Sequence, residues 1–157
     1  MIKIDNLKAS LMARHFTLEQ AERNLPEVER LLRDALYQKA EAQRAHDELE
    51  DETQRIRMSG GVRVDHTKIL AVRSRRDTSA SALQAALESI GELGAQVKDL
   101  DIGLIDFLTL FENREVCLCW KLGEQGIGFW HSLEDGFRGR KPIDDAFRAG
   151  HRGDLHN

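Results

Sequence analysis

The sequence lacks long apolar runs, since no stretch of about 18 uncharged apolar residues occurs in its 157 positions. It has only two cysteines, Cys117 and Cys119, which are too few and too close together for a disulfide framework. The first residues, MIKIDNLKASL, lack the continuous apolar core of a signal peptide. These absences argue against a membrane-spanning segment and predict a protein of the reducing cytoplasm.

Charge of one sign is not concentrated in any block. The chain carries 23 basic and 27 acidic residues, a net charge of -4, and the two signs are interleaved. A protein that tracks phosphates needs a basic stripe, so we expect no nucleic-acid partner. There is also no glycine-rich phosphate loop and no HExxH, CxxC or DxDxDG spacing.

A seven-residue apolar repeat is the clearest pattern in the chain, and it occurs twice. Such a repeat is typical of a coiled coil, and one antiparallel register, with Ala42 opposite Leu83 and Val28 opposite Val97, satisfies every layer. The first seam comprises Leu18, Ala21, Leu25, Val28, Leu32, Ala35, Lys39, Ala42, His46, Leu49, Thr53 and Ile56, and the second comprises Ile69, Val72, Arg76, Ser79, Leu83, Ala86, Ile90, Leu93 and Val97. Thr17 and Gln20 form a capping box at the start of the first helix.

After Gly94 the apolar period changes from about 3.5 to about 2 residues, which predicts strands over 103–111, 116–122 and 127–131. With two-residue turns, Trp120 lies opposite Phe129, and Asp106 and His131 point to opposite faces of the sheet. The predicted fold is α+β: a long antiparallel two-helix coiled-coil hairpin with a small three-stranded antiparallel sheet at its base. We expect a flexible extension over 1–15, with Met12 as an alternative start, one domain over 16–143, and a disordered tail over 144–157.

The chain resembles a prokaryotic family described as domain of unknown function 2203. The resemblance covers roughly residues 16–143 and implies no activity, cofactor or substrate. Leu108 stands where the family pattern favours proline. The residues that carry the resemblance are Phe16 to Ala21, Leu25-Pro26, Gly94, Val97 to Asp101, Gly103 to Phe107, Leu118 to Glu124, Trp130-His131, Gly136-Phe137 and Gly139-Arg140.

Charged residues and aromatics gather in the strand region, where they form a candidate pocket. Its members are Lys98, Asp101, Asp106, Glu124, Trp130, His131 and Arg140. One interpretation is a divalent-metal or acid/base site at Asp106, Glu124 and His131. The other is structural: Asp106 pairs with Lys121, and His131 is a hydrogen-bonded edge of the core. The structural interpretation is preferred. A metal site at Cys117 and Cys119 is weaker still, because their side chains share one face while His131 falls on the other, so both are interpreted as buried small side chains.

The second face of the predicted sheet is also apolar, and one helical hairpin cannot cover both faces. We therefore expect a homodimer interface formed by Leu108, Leu110 and Trp130. The sequence favours a homo-oligomeric protein-interaction module without catalysis, and the alternative is a divalent-metal-binding protein or an enzyme. No particular cofactor is indicated.

Overall fold

The computed structural model describes residues 14–60 and 63–154. Most of the predicted N-terminal extension, the alternative start at Met12, the turn residue Gly61 and the last three residues of the predicted tail lie outside this range. The chain divides into two compact units. One unit contains residues 14–30 and 90–154, and the other contains residues 31–89. No helix in the described ranges has both the length and the apolarity to cross a membrane.

The α+β class is confirmed, but the sheet has six strands rather than three. Its order is β1-β2-β3-β4-β5, and β6 pairs with β2. All described pairings are antiparallel. The strands are β1 (Ala95–Asp99), β2 (Leu104–Phe111), β3 (Arg114–Lys121), β4 (Phe129–Ser132), β5 (Lys141–Pro142) and β6 (His151–Arg152), and the helices are α1 (Leu18–Met58), α2 (His66–Glu92) and α3 (Asp145–Gly150).

The pairing of β3 with β4 differs from the predicted register by one residue. His131 pairs with Cys117 and Trp130 pairs with Leu118, because a seven-residue connection replaces the expected two-residue turn. A shift of one residue moves every side chain of a strand to the other face. His131 therefore lies on the same face as Asp106, Cys117 and Cys119, and the prediction of opposite faces is wrong.

The start of α1 is held as the sequence predicts. The Thr17 hydroxyl accepts a hydrogen bond from the Gln20 amide at 3.2 Å, and the Gln20 side chain accepts one from the Thr17 amide at 2.8 Å. This reciprocal pair is a capping box. Phe16 is buried, with its ring edge-on to Phe107 at 5.3 Å. The cap and the buried ring join the start of α1 to the sheet.

Residues 145–152, part of the predicted disordered tail, form α3 and β6. The reason is one aromatic residue, Phe147, which is 1% exposed and stacks on Trp130 at 4.9 Å between ring centres. His151 accepts a hydrogen bond from the Leu18 amide, which adds a second contact to the start of α1. Trp130 therefore packs inside its own chain, on the face opposite Leu108 and Leu110.

In the unit that contains residues 31–89, the predicted seam of α2 is buried or half-buried, but α1 follows its own predicted seam completely only as far as Ala35. Of the later seam positions, Ala42, Leu49 and Ile56 are still half-buried. The seam positions Lys39, His46 and Thr53 are exposed, while Ala45 and Glu52 are buried. The heptad spacing of α1 thus continues on a neighbouring stripe that includes Ala45 and Glu52, and this stripe contains fewer polar side chains than the predicted one. Val97 lies in β1, so its place in the helical seam is also wrong. Ion pairs join Glu48 to Arg75 at 2.5 Å and Glu52 to Lys68 at 3.5 Å.

The layer pairing of the hairpin remains a prediction that cross-linking can test. We expect Ala42→Cys and Leu83→Cys, in a background with Cys117→Ser and Cys119→Ser, to form an intramolecular disulfide under mild oxidation. Paired core positions bring Cβ atoms to about 4 Å, which a disulfide requires. The control is Ala42→Cys with Leu87→Cys, one turn away. Faster bonding in the control pair would contradict the register.

Three segments that are distant in sequence meet at His15, which the sequence predicts to be in the flexible extension. Its Nε2 lies 2.8 Å from Glu115 Oε1 and its Nδ1 lies 3.1 Å from Asp154 Oδ1. Partial burial lowers the pKa of His15, but the hydrogen bonds and charges of Glu115 and Asp154 outweigh it, so the net pKa is raised. The His15 backbone amide, and then its ring, lower the pKa of Asp154.

This cluster predicts a pH-dependent stability. The His15 contribution is complete below the ordinary pKa of 6.5 and is lost as pH rises through the raised folded value. The Asp154 contribution is complete above its ordinary pKa of 3.8 and is lost as pH falls through the lowered folded value. Thermal melts should therefore separate wild type from His15→Gln most between these two values. The difference should shrink toward pH 9, and a constant difference would contradict the ion-pair account.

Candidate metal centre

One face of the sheet carries polar side chains on its three middle strands. Asp106 lies on β2, Cys117 and Cys119 lie on β3, and His131 lies on β4. In the register, Asp106 pairs with Cys119, and His131 pairs with Cys117. All four residues are buried, at 3% exposure or less. The two outer strands thus bring a carboxylate and an imidazole toward two thiols on the strand between them.

The imidazole of His131 has a defined hydrogen-bonding state. Its Nδ1 lies 2.7 Å from the Ser132 carbonyl oxygen, which can only accept, so Nδ1 carries a proton and donates it. In the neutral ring, Nε2 then presents a lone pair. Nε2 lies 3.0 Å from Asp106 Oδ2, which is also an acceptor when the carboxyl group is ionised. A proton or a metal ion between these two atoms removes the repulsion.

Three buried side-chain polar atoms have no hydrogen-bond partner among the described residues: Asp106 Oδ1, His131 Nε2 and Arg140 Nη1. His131 Nε2 thus contacts Asp106 Oδ2 at 3.0 Å without a hydrogen bond between them. An unsatisfied buried polar group costs about 1 to 3 kcal/mol, and more if it is charged. Such groups call for an explanation, and a bound ion is one.

Cys117 completes a set of three potential metal ligands. One ligand atom each from Asp106, Cys117 and His131 lie within 4.8 Å of one another. Burial raises the pKa of the Cys117 thiol to about 12, and the charge of Asp106 adds to this effect, while Lys98 opposes it. Without a metal ion the thiol is therefore protonated at neutral pH.

A second polar group lies beside Cys119 on the same face. Arg140 Nη2 lies 2.8 Å from Glu124 Oε1, and the guanidinium is held between two rings, 4.0 Å from Phe129 and 4.6 Å from Phe137. Burial, and then the charge of Asp106, raise the pKa of Cys119 to about 12, whereas the positive charge of Arg140 acts in the opposite direction. The Arg140 guanidinium is thus held by Glu124 and by two aromatic rings, next to the Cys119 thiol.

The structure brings together only some of the predicted site residues. Asp106 and His131 meet, but Glu124 pairs with Arg140 instead of joining them. Trp130 lies on the other face, Lys98 is exposed on β1, and Asp101 is exposed in a turn that the Asp99 carboxylate orders. The expected pairing of Asp106 with Lys121 is wrong, because the Asp106 carboxylate contacts His131 Nε2 at 3.0 Å and Lys121 Nζ lies over the ring of Phe137.

The sequence interpretation set aside a metal site at Cys117 and Cys119, because the predicted turn placed His131 on the other face. A one-residue error in the β3–β4 register is what separated the two cysteines from His131. The sequence signal was the run Cys117-Leu118-Cys119 next to a strand that carries Asp106.

Comparison with known proteins gives one family. A model of an uncharacterised conserved protein family, domain of unknown function 2203, matches residues 14–143. The chain belongs to this family. No curated protein and no solved structure matches the chain significantly. The matched range includes all four polar residues of the sheet face as well as Glu124 and Arg140, so the candidate metal centre lies entirely within the family region.

Proposed function

We propose that this member of domain of unknown function 2203 binds a divalent transition-metal ion through Asp106, Cys117 and His131. The observation that carries the proposal is the convergence of three different ligand atoms within 4.8 Å at a buried position. Two of the three residues, Asp106 and His131, also contain a buried polar atom without a partner. A metal ion at this point gives both atoms a partner.

Charge balance supports a divalent ion. A carboxylate and a thiolate together carry two negative charges, and an imidazole that binds a metal ion through Nε2 adds none. One divalent cation makes the group neutral, which burial requires. The cation also promotes loss of the thiol proton, as coordination does in metal sites generally.

The ligand types favour zinc or a similar metal. Thiolate and imidazole ligands suit Zn²⁺ and Co²⁺, whereas Mg²⁺ and Ca²⁺ prefer oxygen ligands alone. The hydrogen bond from Nδ1 to the Ser132 carbonyl group is the outer contact that usually orients a metal-binding histidine. The ligand atoms of Asp106, Cys117 and His131 therefore favour a divalent transition metal at this site.

Calorimetric titration of the metal-free protein with Zn²⁺ tests the proposal. One ion per chain should bind to the wild type, and Cys117→Ser and His131→Gln should each weaken binding by tenfold or more. Asp101→Asn is the control, because it removes an exposed carboxylate of the predicted pocket. Glu124→Gln should keep the stoichiometry of one ion per chain, because Glu124 pairs with Arg140 and is not a ligand. Normal binding by Cys117→Ser and loss of binding by Glu124→Gln would contradict the ligand set and favour the sequence-derived alternative.

A second candidate function is self-association through the hairpin. Large apolar side chains are exposed along the helices, with Tyr37 at 59%, Met58 at 82% and Leu70 at 64%. We propose that a second copy of the chain covers Leu70 and its surroundings. Light scattering should detect a dimer that Leu70→Gln disrupts and that the neighbouring change Ala71→Gln does not. An unchanged monomeric mass for all three proteins would contradict the proposal.

A further inference from the structure

We propose that Cys119 is the fourth protein ligand of this metal ion, so that the centre is closed and tetrahedral, with Arg140 donating to the Cys119 sulfur. This inference rests on the proposed function, since it completes the ligand set of Asp106, Cys117 and His131. A centre with four protein ligands is structural, whereas a catalytic zinc ion keeps one position for water or substrate. The inference therefore assigns the ion a role in folding.

Cys119 lies close to the three proposed ligands on the sheet. Residues two apart on a strand share a face, so the sulfurs of Cys117 and Cys119 lie on the same side of β3. Cys119 pairs directly with Asp106, which is already one of the ligands. Its sulfur lies outside the group of three converging atoms, and we expect rotation about its Cα–Cβ bond to bring it to the ion.

The three buried atoms without a hydrogen-bond partner also favour Cys119 as a ligand. A metal ion accounts for Asp106 Oδ1 and His131 Nε2 but leaves Arg140 Nη1 without a partner. A neutral thiol is a weak acceptor, whereas a metal-bound thiolate is negatively charged and accepts readily from a guanidinium group. Coordination of Cys119 therefore satisfies the third atom as well. One binding event gives a partner to each buried side-chain polar atom that lacks one in the described part of the chain.

The surroundings of Arg140 also favour a thiolate at Cys119. The pair with Glu124 and the two aromatic rings hold the guanidinium in place before the metal ion binds. A preoriented donor next to Cys119 favours the thiolate. When both sulfurs coordinate, their two thiol protons pass to solvent, and a hydrogen bond from Arg140 stabilises the second thiolate. Arg140 is thus a positioning residue and not a ligand.

Cobalt substitution tests the number of sulfur ligands. In the Co²⁺-loaded wild type we expect sulfur-to-metal charge-transfer absorption and the visible bands of a tetrahedral ion. Cys117→Ser and Cys119→Ser should each lose about half of the charge-transfer intensity. Full intensity in Cys119→Ser together with complete loss in Cys117→Ser would overturn the inference while leaving the proposed function intact. A wild type that binds no Co²⁺ would overturn both.

A measurement on the unaltered protein covers the case in which Cys119→Ser does not fold. X-ray absorption of the Zn²⁺-loaded wild type should give two sulfur ligands at about 2.3 Å and two nitrogen or oxygen ligands at about 2.0 to 2.2 Å. A single sulfur ligand would overturn the inference.

The role of Arg140 has its own test. Arg140→Met should weaken Co²⁺ binding by about tenfold through loss of a nearby opposite charge, without changing the number of sulfur ligands. Arg140→Lys should recover part of the affinity because it restores the charge. Equal affinities in the three proteins would remove Arg140 from the proposed centre.

Discussion

Addition of Zn²⁺ to the metal-free protein is expected to raise its melting temperature by about 8 to 16 °C. A ligand at a thousand times its dissociation constant stabilises the native state by about 4 kcal/mol. A protein of this size gains about 2 to 4 °C for each kcal/mol. The effect is large because Asp106, Cys117 and His131 belong to three different strands, so that the ion links β2, β3 and β4 directly.

Two comparisons make this stabilisation specific to the proposed centre. His131→Gln should melt at the same temperature with and without Zn²⁺, since it lacks a ligand. Mg²⁺ should leave the wild type unchanged, because this ion does not favour thiolate or imidazole ligands. An equal increase for wild type and His131→Gln would mean that Zn²⁺ acts elsewhere on the chain. Differential scanning fluorimetry is sufficient for the measurement.

Gly94→Ala is expected to destabilise the protein by about 2 to 5 kcal/mol. Gly94 has a φ of 82°, and a β-carbon placed there lies 2.3 Å from Cζ of Phe16. The left-handed backbone costs an alanine about 1 to 2 kcal/mol, and a clash with a well-packed ring adds about 1 to 3 kcal/mol. Phe16 cannot easily retreat, because it is buried against Phe107. Urea denaturation measures the loss.

Gly91→Ala is the matched control, three residues away in the last turn of α2. A β-carbon at this position meets no atom within 4 Å, and the residue is exposed. Alanine is the better helix former, so this change should stabilise the protein by about 0.5 to 1 kcal/mol. Similar urea midpoints for the two variants would contradict the proposed contact between Gly94 and Phe16.

Features that depend on neighbouring residues could be predicted from the sequence. The capping box at Thr17 and Gln20 needs only residues three apart, and the start of α2 at His66 follows from Asp65, whose carboxylate accepts from the Lys68 amide at 3.0 Å. The α2 seam is likewise visible in its apolar repeat. Such local patterns determine the backbone conformation of their own segment, so the α+β class and the two long helices could be predicted from the sequence.

Features that depend on distant pairing could not be predicted in the same way. β1 was missed because Val97 continues the heptad spacing of α2 into a segment that pairs with β2. α3 and β6 were missed because a single aromatic residue, Phe147, holds them against the sheet. The sheet face of His131 depends on the register set by the connection after β3, and a register that differs by one residue places the side chain on the opposite face.

In the candidate site, too, the residues could be predicted from the sequence but their contacts could not. Asp106 and His131 were named from their residue types alone, but Cys117 joins them only in the correct register. The exposed Lys39, His46 and Thr53 show a related effect in α1, where two neighbouring stripes fit the same repeat and burial selects the one with Ala45. The sequence therefore identified the participants better than it identified their contacts.

Metal analysis of protein purified without an affinity tag tests the central claim most directly. Elemental analysis by mass spectrometry should find about one equivalent of zinc or another divalent transition metal per wild-type chain. The same preparation of His131→Gln should contain almost none, while Asp101→Asn, which removes an exposed carboxylate, should contain as much as the wild type. Wild-type protein without bound metal, which also fails to take up Zn²⁺ or Co²⁺ after dialysis, would contradict the account.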